Sequence, residues 1–394
     1  MKHRIVVLGA GYAGAIAAGR LAKRLHPGDT EITVVNADAD FVERVRMHQL
    51  ATGQHLKHRP LTDVYAGTGV EVRQARVTAV DVDRRTVALA AENGTDEIAY
   101  DTLVYALGSA AADHGVPGVV EHAYDIAGRH SALRLRDRLD GLAAGGTVLV
   151  VGGGLTGLEA VTEIAEARPD LDVAIAARGG LGDWLNEKAQ QHLRGVYDRL
   201  GITVHEHADV ARVEATGAVT ADGRVLPAQV TVWTAGFAVH PVAAATSLTV
   251  APTGQIVVDA TMRSVSHPEV YAVGDAGLAE GSGGKPLRMS CASGVPMAWQ
   301  AADAIAARLT GRKIPKAPLR YFNQCISLGR RDGIIQYVTA DDRAKPSLLT
   351  GRLAARYKEI VCTGAAWGVS HPTLYPVRRH HITAIRSESL ATMP

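Results

Sequence analysis

Apolar residues in this chain gather in short blocks that stop at glycine or proline. Ile5-Val6-Val7-Leu8 is a β-branched run that leads into Gly9-Ala10-Gly11-Tyr12-Ala13-Gly14, and an Ala- and Leu-rich stretch continues from Ala15 to about Leu25. That order predicts a strand, a tight turn and a helix. Pro27-Gly28-Asp29 breaks the helix, and Glu31–Val35 reads as the next strand, so a β-α-β unit opens at residue 4. The pattern returns 143 residues later. Thr147–Val151 is a strand, Gly152-Gly153-Gly154-Leu155-Thr156-Gly157 the turn and Leu158–Ala167 a helix. Arg168-Pro169-Asp170 stops that helix, and Leu171–Ala177 is the return strand. The chain therefore carries a long-range internal duplication.

Between the two units, Val70–Ala75, Val77–Val82 and Thr86–Ala90 alternate as short strands, with a turn at Asn93-Gly94. The run from Tyr100 to Ser109 is a buried strand ending in small residues, and Val230–Gly236 is its counterpart in the second unit. Residues 256–277 hold two strands around a His267-Pro268 turn and end in Gly274-Asp275-Ala276-Gly277. A helix is predicted from about Pro296 to Leu309, then a proline-spaced linker at Ile314-Pro315 and Ala317-Pro318. Residues 319–394 read as strands followed by a helix over Gly351–Cys362. The fold class is α/β, with two Rossmann-like dinucleotide-binding domains and a small C-terminal α+β region.

Composition narrows the classes. In 394 residues, 47% hydrophobic and 21% charged, there is ample material for more than one core, and collagen or intrinsic disorder is excluded. The start Met1-Lys2-His3-Arg4 lacks the features of a signal peptide, and no run of about eighteen apolar residues occurs. The expected location is the cytoplasm, at most on the inner face of a membrane. Cys291, Cys325 and Cys362 are the only cysteines, none in a C-x-x-C, so a disulfide scaffold or cysteine zinc site is unsupported. The formal charge of +2 conceals an asymmetry. Residues 311–394 carry 14 Lys and Arg against 5 Asp and Glu, +9, leaving −7 for the rest. A basic tail on an acidic body suits an anionic partner, such as a lipid head group or a cofactor phosphate, as well as a solvated surface. Nucleic acid is not expected, because the basic residues are scattered.

The chemistry lies in the glycine turns. In G-x-G-x-x-G after a strand, the first glycine makes the turn, the second admits a pyrophosphate and the third lets helix and strand pack, while the helix N-terminus offers free N–H groups. Gly9, Gly11 and Gly14, with Tyr12 and Ala13, form one such cradle; Gly152, Gly154 and Gly157, with Leu155 and Thr156, form the other. The ribose position after the first unit is Asn36, where an acid is usual, yet an amide still hydrogen-bonds a hydroxyl. The equivalent stretch in the second unit, Ala176-Ala177-Arg178, has no acid, which tilts toward NADPH over NADH through Arg178.

Taken with Tyr105-Ala106-Leu107-Gly108-Ser109, Thr234-Ala235-Gly236-Phe237 and Val270–Ala276, these motifs resemble the pyridine nucleotide-disulfide oxidoreductase fold, in its type II NADH dehydrogenase-like branch, over residues 4–310. The resemblance implies FAD on the first glycine motif and NAD(P)H on the second. The FAD-binding domain would span 1–112 and 245–318, the NAD(P)H-binding domain 113–244 and a C-terminal domain 319–394. It implies Ala106, Leu107, Gly108, Ala235 and Gly236 around the cofactors, Asp275 after Gly274 on the ribityl–phosphate portion, and Glu159 near the nicotinamide and flavin. Arg46 and His48, on the segment after the second strand, are expected beside the flavin. Gly294, Val295 and Pro296 are expected where a helix N-terminus faces the flavin pyrimidine.

Disulfide reductases of this fold need a C-x4-C on that segment, and Phe41–Leu50 holds no cysteine, so that reaction is excluded. Sulfide oxidation through Cys291 and Cys325 is not expected either, since isolated cysteines usually act as small hydrophobes. His55 and His58 have no carboxylate in metal register, and no metal is expected. The leading expectation is an FAD-dependent NAD(P)H dehydrogenase passing electrons to a quinone or other small acceptor. A reductase or tailoring oxidase acting on a small substrate or a carrier such as ferredoxin stays open, as does a redox sensor. A homodimer is compatible with it, and peripheral membrane contact is compatible but not favoured, since the predicted last helix is only mildly amphipathic.

Overall fold

Each apolar strand ahead of a glycine turn becomes the centre of a five-stranded parallel sheet. In the computed structural model, residues 1–91, 94–315, 318–373 and 376–383 are described. Asn93 of the predicted turn, Ala317 of the predicted linker and the polar last residues lie outside them. In the first sheet the order is Val270–Ala272, Thr102–Tyr105, His3–Leu8, Thr30–Asn36, Val70–Gln74. In the second it is Thr203–His205, Asp172–Ala176, Thr147–Val151, Val230–Trp233, Ala123–Tyr124. His3–Leu8 and Thr147–Val151 each have a parallel neighbour on both sides, Val7 opposite Val34 and Val104, Val150 opposite Ile175 and Val232. Strands covered on both faces need continuous apolar runs, which is why neither alternates. Both glycine turns therefore sit where strand order reverses, the place at which open α/β sheets bind ligands.

Four further pieces complete the fold. Arg76–Asp81, Thr86–Ala91 and Gly94–Ala99 form an antiparallel sheet inserted in the first unit, and Val210–Glu214, Gly217–Thr220 and Val225–Pro227 form one in the second. Ser109–Ala111 pairs antiparallel with Phe237–Val239, so the chain's two crossings between units are one ribbon. Near the C-terminus, Asn323–Ser327, Gly333–Val338 and Ala344–Thr350 make a small antiparallel sheet, followed by the helix Gly351–Ser370.

Two helices differ from the sequence expectation. The helix expected from Pro296 begins at Cys291 and runs to Leu309. Ser290 precedes it, and the Gly294 N–H already donates to the Ser290 carbonyl at 2.9 Å. Pro296 falls in the second turn, where it withholds one backbone bond near an end that lacks several anyway. The last helix extends eight residues past Cys362 because Cys362, Ala366 and Val369 form a buried stripe at i, i+4, i+7.

The core is divided. One part surrounds the first sheet and the helices Tyr12–Arg24 and Cys291–Leu309; a second surrounds the other sheet. The second core takes Met47 and Ala51 from the first unit and Ile326, Leu328 and Ile334 from the C-terminal sheet. At about 1.5–3 kcal/mol for each large side chain fully buried, Ile326, Leu328 and Ile334 tie the C-terminal module to the core that holds the glycine-motif helix Leu155–Ala167. No described helix is long and apolar enough to cross a membrane.

Candidate functional site

The two glycine turns are built alike. A Cβ on Gly14 would fall on the carbonyl oxygen of Gly9, and one on Gly157 would fall on that of Gly152. Gly11 and Gly154 face open space, so backbone can approach a pyrophosphate there. Both turns precede helices, Tyr12–Arg24 and Leu155–Ala167, whose first residues receive no side-chain cap and whose N–H groups stay available to an anion. The Tyr12 hydroxyl is buried without a hydrogen-bond partner. This chain thus holds two dinucleotide cradles, and the residues of each fit a pyrophosphate.

Around the first cradle, Gly108 and Gly274 both turn through left-handed backbone, at φ +70° and +69°. Gly294 packs where a Cβ would stand 3.3 Å from Gly274 Cα and 3.6 Å from Ala13 Cβ, and so joins three segments at one point. Val295 packs against the first core, and Pro296 is half-buried beside it. Asp275 accepts from Ser109 Oγ at 2.6 Å and from the Arg44 guanidinium at 3.3 Å, while Arg44 also donates to Ser109 Oγ at 3.0 Å and lies 4.9 Å from the Phe237 ring. Ala106, Leu107, Ala235 and Gly236 lie at the ends of the paired strands that flank this network, and the Ala235 carbonyl is 3.2 Å from His114 Nε2.

Asn36 has a different duty from the one expected. Its Oδ1 accepts from the Ala10 N–H at 2.9 Å and its Nδ2 donates to the Asp38 carbonyl at 2.7 Å, so the amide braces the glycine loop. Arg178 is exposed at the end of its strand and makes no ion pair or side-chain hydrogen bond among the described residues.

Arg46 and His48 part company. Every one of the five Arg46 donors is engaged: Nε with Glu43 (3.1 Å), the others with Gln49 (3.1 Å), Glu359 (3.0 and 2.6 Å) and Thr363 (3.2 Å). That geometry leaves no donor for a flavin and makes Arg46 a clamp between its loop and the last helix. The correction follows from Glu359, a partner 313 positions away. His48 is fully buried, and burial, opposed by Glu159, pushes it down to about 4, so the ring is neutral. Its Nε2 stands 3.4 Å from Ser327 Oγ.

Glu159 is the centre of this second network. Lys358 Nζ lies 2.9 Å from Glu159 Oε1 and also donates to the Cys325 carbonyl at 3.1 Å; the Ser327 N–H donates to the same carboxylate at 3.0 Å. Burial opposes the charge on both partners, yet Lys358 and the Ser327 N–H hold Glu159 below the usual carboxylate range, and Glu159 holds Lys358 above that of an amine. The pair is therefore ionised and largely buried. Cys291, Cys325 and Cys362 are free, and burial raises each thiol, Cys325 to about 12 and Cys362 to about 11, which keeps them protonated and unreactive.

Lys358, Ser327 and Arg44 escaped the sequence reading. Arg44 lies within the Phe41–Leu50 stretch already singled out, and its target Asp275 was a clue to a cation. Lys358 lies 199 positions from Glu159 in the part of the chain without motifs, and only folding pairs them.

The pyridine nucleotide-disulphide oxidoreductase family model matches residues 3–306. An NADH dehydrogenase-like protein of Mycobacterium tuberculosis is 30% identical over 318 residues, covering 75% of this chain and 78% of its own. Demethylphylloquinone reductase of Synechocystis is 26% identical, covering 91% and 92%. The structure of NDH2 from Plasmodium falciparum in complex with NADH superposes with a TM-score of 0.79 at 15% identity, over 94% of this chain and 97% of that one. With two glycine cradles in place and the alignment spanning both, the chain belongs to the pyridine nucleotide-disulphide oxidoreductase family, in its NADH dehydrogenase-like branch, and is an FAD- and NAD(P)H-dependent oxidoreductase.

Proposed function

We propose that the protein oxidises NAD(P)H and reduces a quinone that reaches the floor formed by Glu159, Lys358 and Ser327. In sum, NAD(P)H, one proton and the quinone give NAD(P)+ and the quinol. FAD, when bound, supplies the two-electron relay between the two substrates.

The observation that carries this reading is the Glu159–Lys358 ion pair. A quinone taking up two electrons needs two protons, and the hydride accounts for one. The Lys358 ammonium is a buried, charged donor, and Glu159 on the NAD(P)H-domain helix holds it in place and keeps it protonated. His48, neutral at physiological pH, stands beside Ser327 and adds no competing charge. The quinone oxygen, which gains negative charge as the electrons arrive, then meets a proton donor.

At the other end, Arg178 is unpaired among the described residues just past the strand terminus where the ribose would lie, and the stretch Ala176-Ala177-Arg178 holds no acid, which supports NADPH over NADH. Arg178→Ala raises the KM for NADPH about tenfold and leaves that for NADH nearly unchanged, as loss of a charge-assisted contact to the 2′-phosphate requires. The helix Gly351–Ser370 exposes Leu353, Ile360 and Trp367 at i, i+7 and i+14, a single stripe suited to a membrane surface or a second subunit.

The test is an anaerobic titration of the purified flavoprotein with NADPH and NADH in turn, followed by a quinone. Bleaching by either nucleotide and reoxidation by quinone support the reading. Bleaching without reoxidation by any quinone removes it in favour of another small acceptor or a protein carrier.

A further inference from the structure

Against the Glu159–Lys358 floor lies a cavity of about 430 Å³, inside the range of roughly 300–1,000 Å³ typical of small-molecule sites. Gln49, Ser327 and Cys362, which are buried, and Lys358, which is partly buried, form its inner wall. Four exposed arginines, Arg330, Arg331, Arg352 and Arg356, line the rest of it. Two come from the turn between the strands Asn323–Ser327 and Gly333–Val338, and two from the first turns of the helix Gly351–Ser370.

The charge balance of this cavity is lopsided. Glu359 is the carboxylate on its wall, and it is already shared between Arg46 at 2.6 Å and Arg330 at 3.4 Å. Glu159 is taken by Lys358. Arg331, Arg352 and Arg356 have no carboxylate within ion-pair distance among the described residues. Converging cations left without partners around a concave site attract an anion, and guanidinium groups match a planar carboxylate best. A set of this kind gives a neutral quinone no advantage.

We infer that the acceptor is itself an acid: a small quinone carrying a carboxylate, with the carboxylate held at these arginines and the quinone ring directed to Lys358 and Ser327. This rests on the quinone reading above and names the substrate class of that site. The carboxylate stays unchanged, while the quinone carbons take the two electrons released by NAD(P)H and the ring oxygens take one proton from the nicotinamide hydride and one from solvent by way of Lys358. The arginine set is also a selectivity device, since its attraction falls with salt.

The experiment compares, on the holoenzyme at saturating NAD(P)H, menadione with a naphthoquinone bearing one ring carboxylate. Arg331→Gln, Arg356→Gln and their combination accompany the native protein; both side chains are exposed, so folding is preserved. The expected result is a higher kcat/KM for the carboxylated quinone, with the ratio of the two acceptors falling about tenfold in each single variant and shrinking as salt is raised. A ratio that the variants do not move overturns the inference and leaves the quinone reading intact. So does turnover of menadione that depends on phosphatidylglycerol vesicles and on Arg356, because the anion is then a lipid head group. Failure of both quinones, with prompt bleaching by NAD(P)H, removes the quinone reading itself.

Discussion

Glu163 shows what burial does to one carboxyl group. It is 1% exposed, one oxygen accepts from the Gln54 amide, and the other has no partner. Burial, opposed by Arg330 and the Gln54 bond, pushes it up to about 7. An acid raised on folding stabilises fully below its unfolded pKa, and that contribution is lost as pH rises through about 7. Glu163→Gln keeps the shape and deletes the ionisation, so its Tm falls less between pH 5 and pH 8 than the native value, with a gain at pH 8 on the order of 1–3 kcal/mol. His48 acts with the opposite sign: its contribution is present above the ordinary histidine value and lost as pH falls through about 4. Lys358 neutralises a buried carboxylate. Lys358→Met leaves Glu159 charged and buried, at a cost of about 3–5 kcal/mol, and the double variant with Glu159→Gln recovers most of it. Denaturant titrations of the two singles and the double measure the coupling directly.

Among elements, the glycine turns separate packing from binding. Gly157 must be glycine because its helix starts against the Gly152 carbonyl, whereas Gly154 borders open space. Gly157→Ala therefore lowers the thermal stability of the second unit by several degrees. Gly154→Ala leaves stability within about 0.5 kcal/mol and weakens nucleotide binding instead, because the added methyl occupies the approach to the pyrophosphate. Calorimetric melting and nucleotide titration of the two variants should give opposite rankings. The helix Cys291–Leu309 carries a related lesson. A proline usually marks a helix start, yet Pro296 sits one turn inside, because Gly294 has to reach Gly274 and Ala13 and the helix must begin earlier to place it there.

For the molecule as a whole, the C-terminal module completes the site. Its sheet shares a core with the helix Leu155–Ala167, and its helix reaches back to Arg46 through Glu359 and to Glu159 through Lys358. Arg46→Lys keeps the charge but cannot supply five donors in a fork. Its expected effect is a loss of about 1–3 kcal/mol together with faster proteolysis of residues 319–370, read by limited digestion beside a melting curve. The same module concentrates the chain's positive charge, +9 over residues 311–394, and folding directs part of it to one cavity.

The two β-α-β units, their order and their glycine turns were legible in the residues, because each depends on contacts between near neighbours along the chain: an apolar run, a backbone turn that tolerates no side chain, a helix that follows at once. Asp275 and Glu159 could be singled out for the same reason, since each stands in a local motif. The roles of Asn36, Arg46 and Lys358 were not legible. Their roles depend on partners that the sequence does not place nearby: the Ala10 N–H, the Glu359 carboxylate and the Glu159 carboxylate. Local pattern determined which cofactors the chain is made to hold. The packing of a motif-poor tail against the second unit decided which charges stand over the site, because electrostatic pairing acts on distance in space and is blind to distance in sequence.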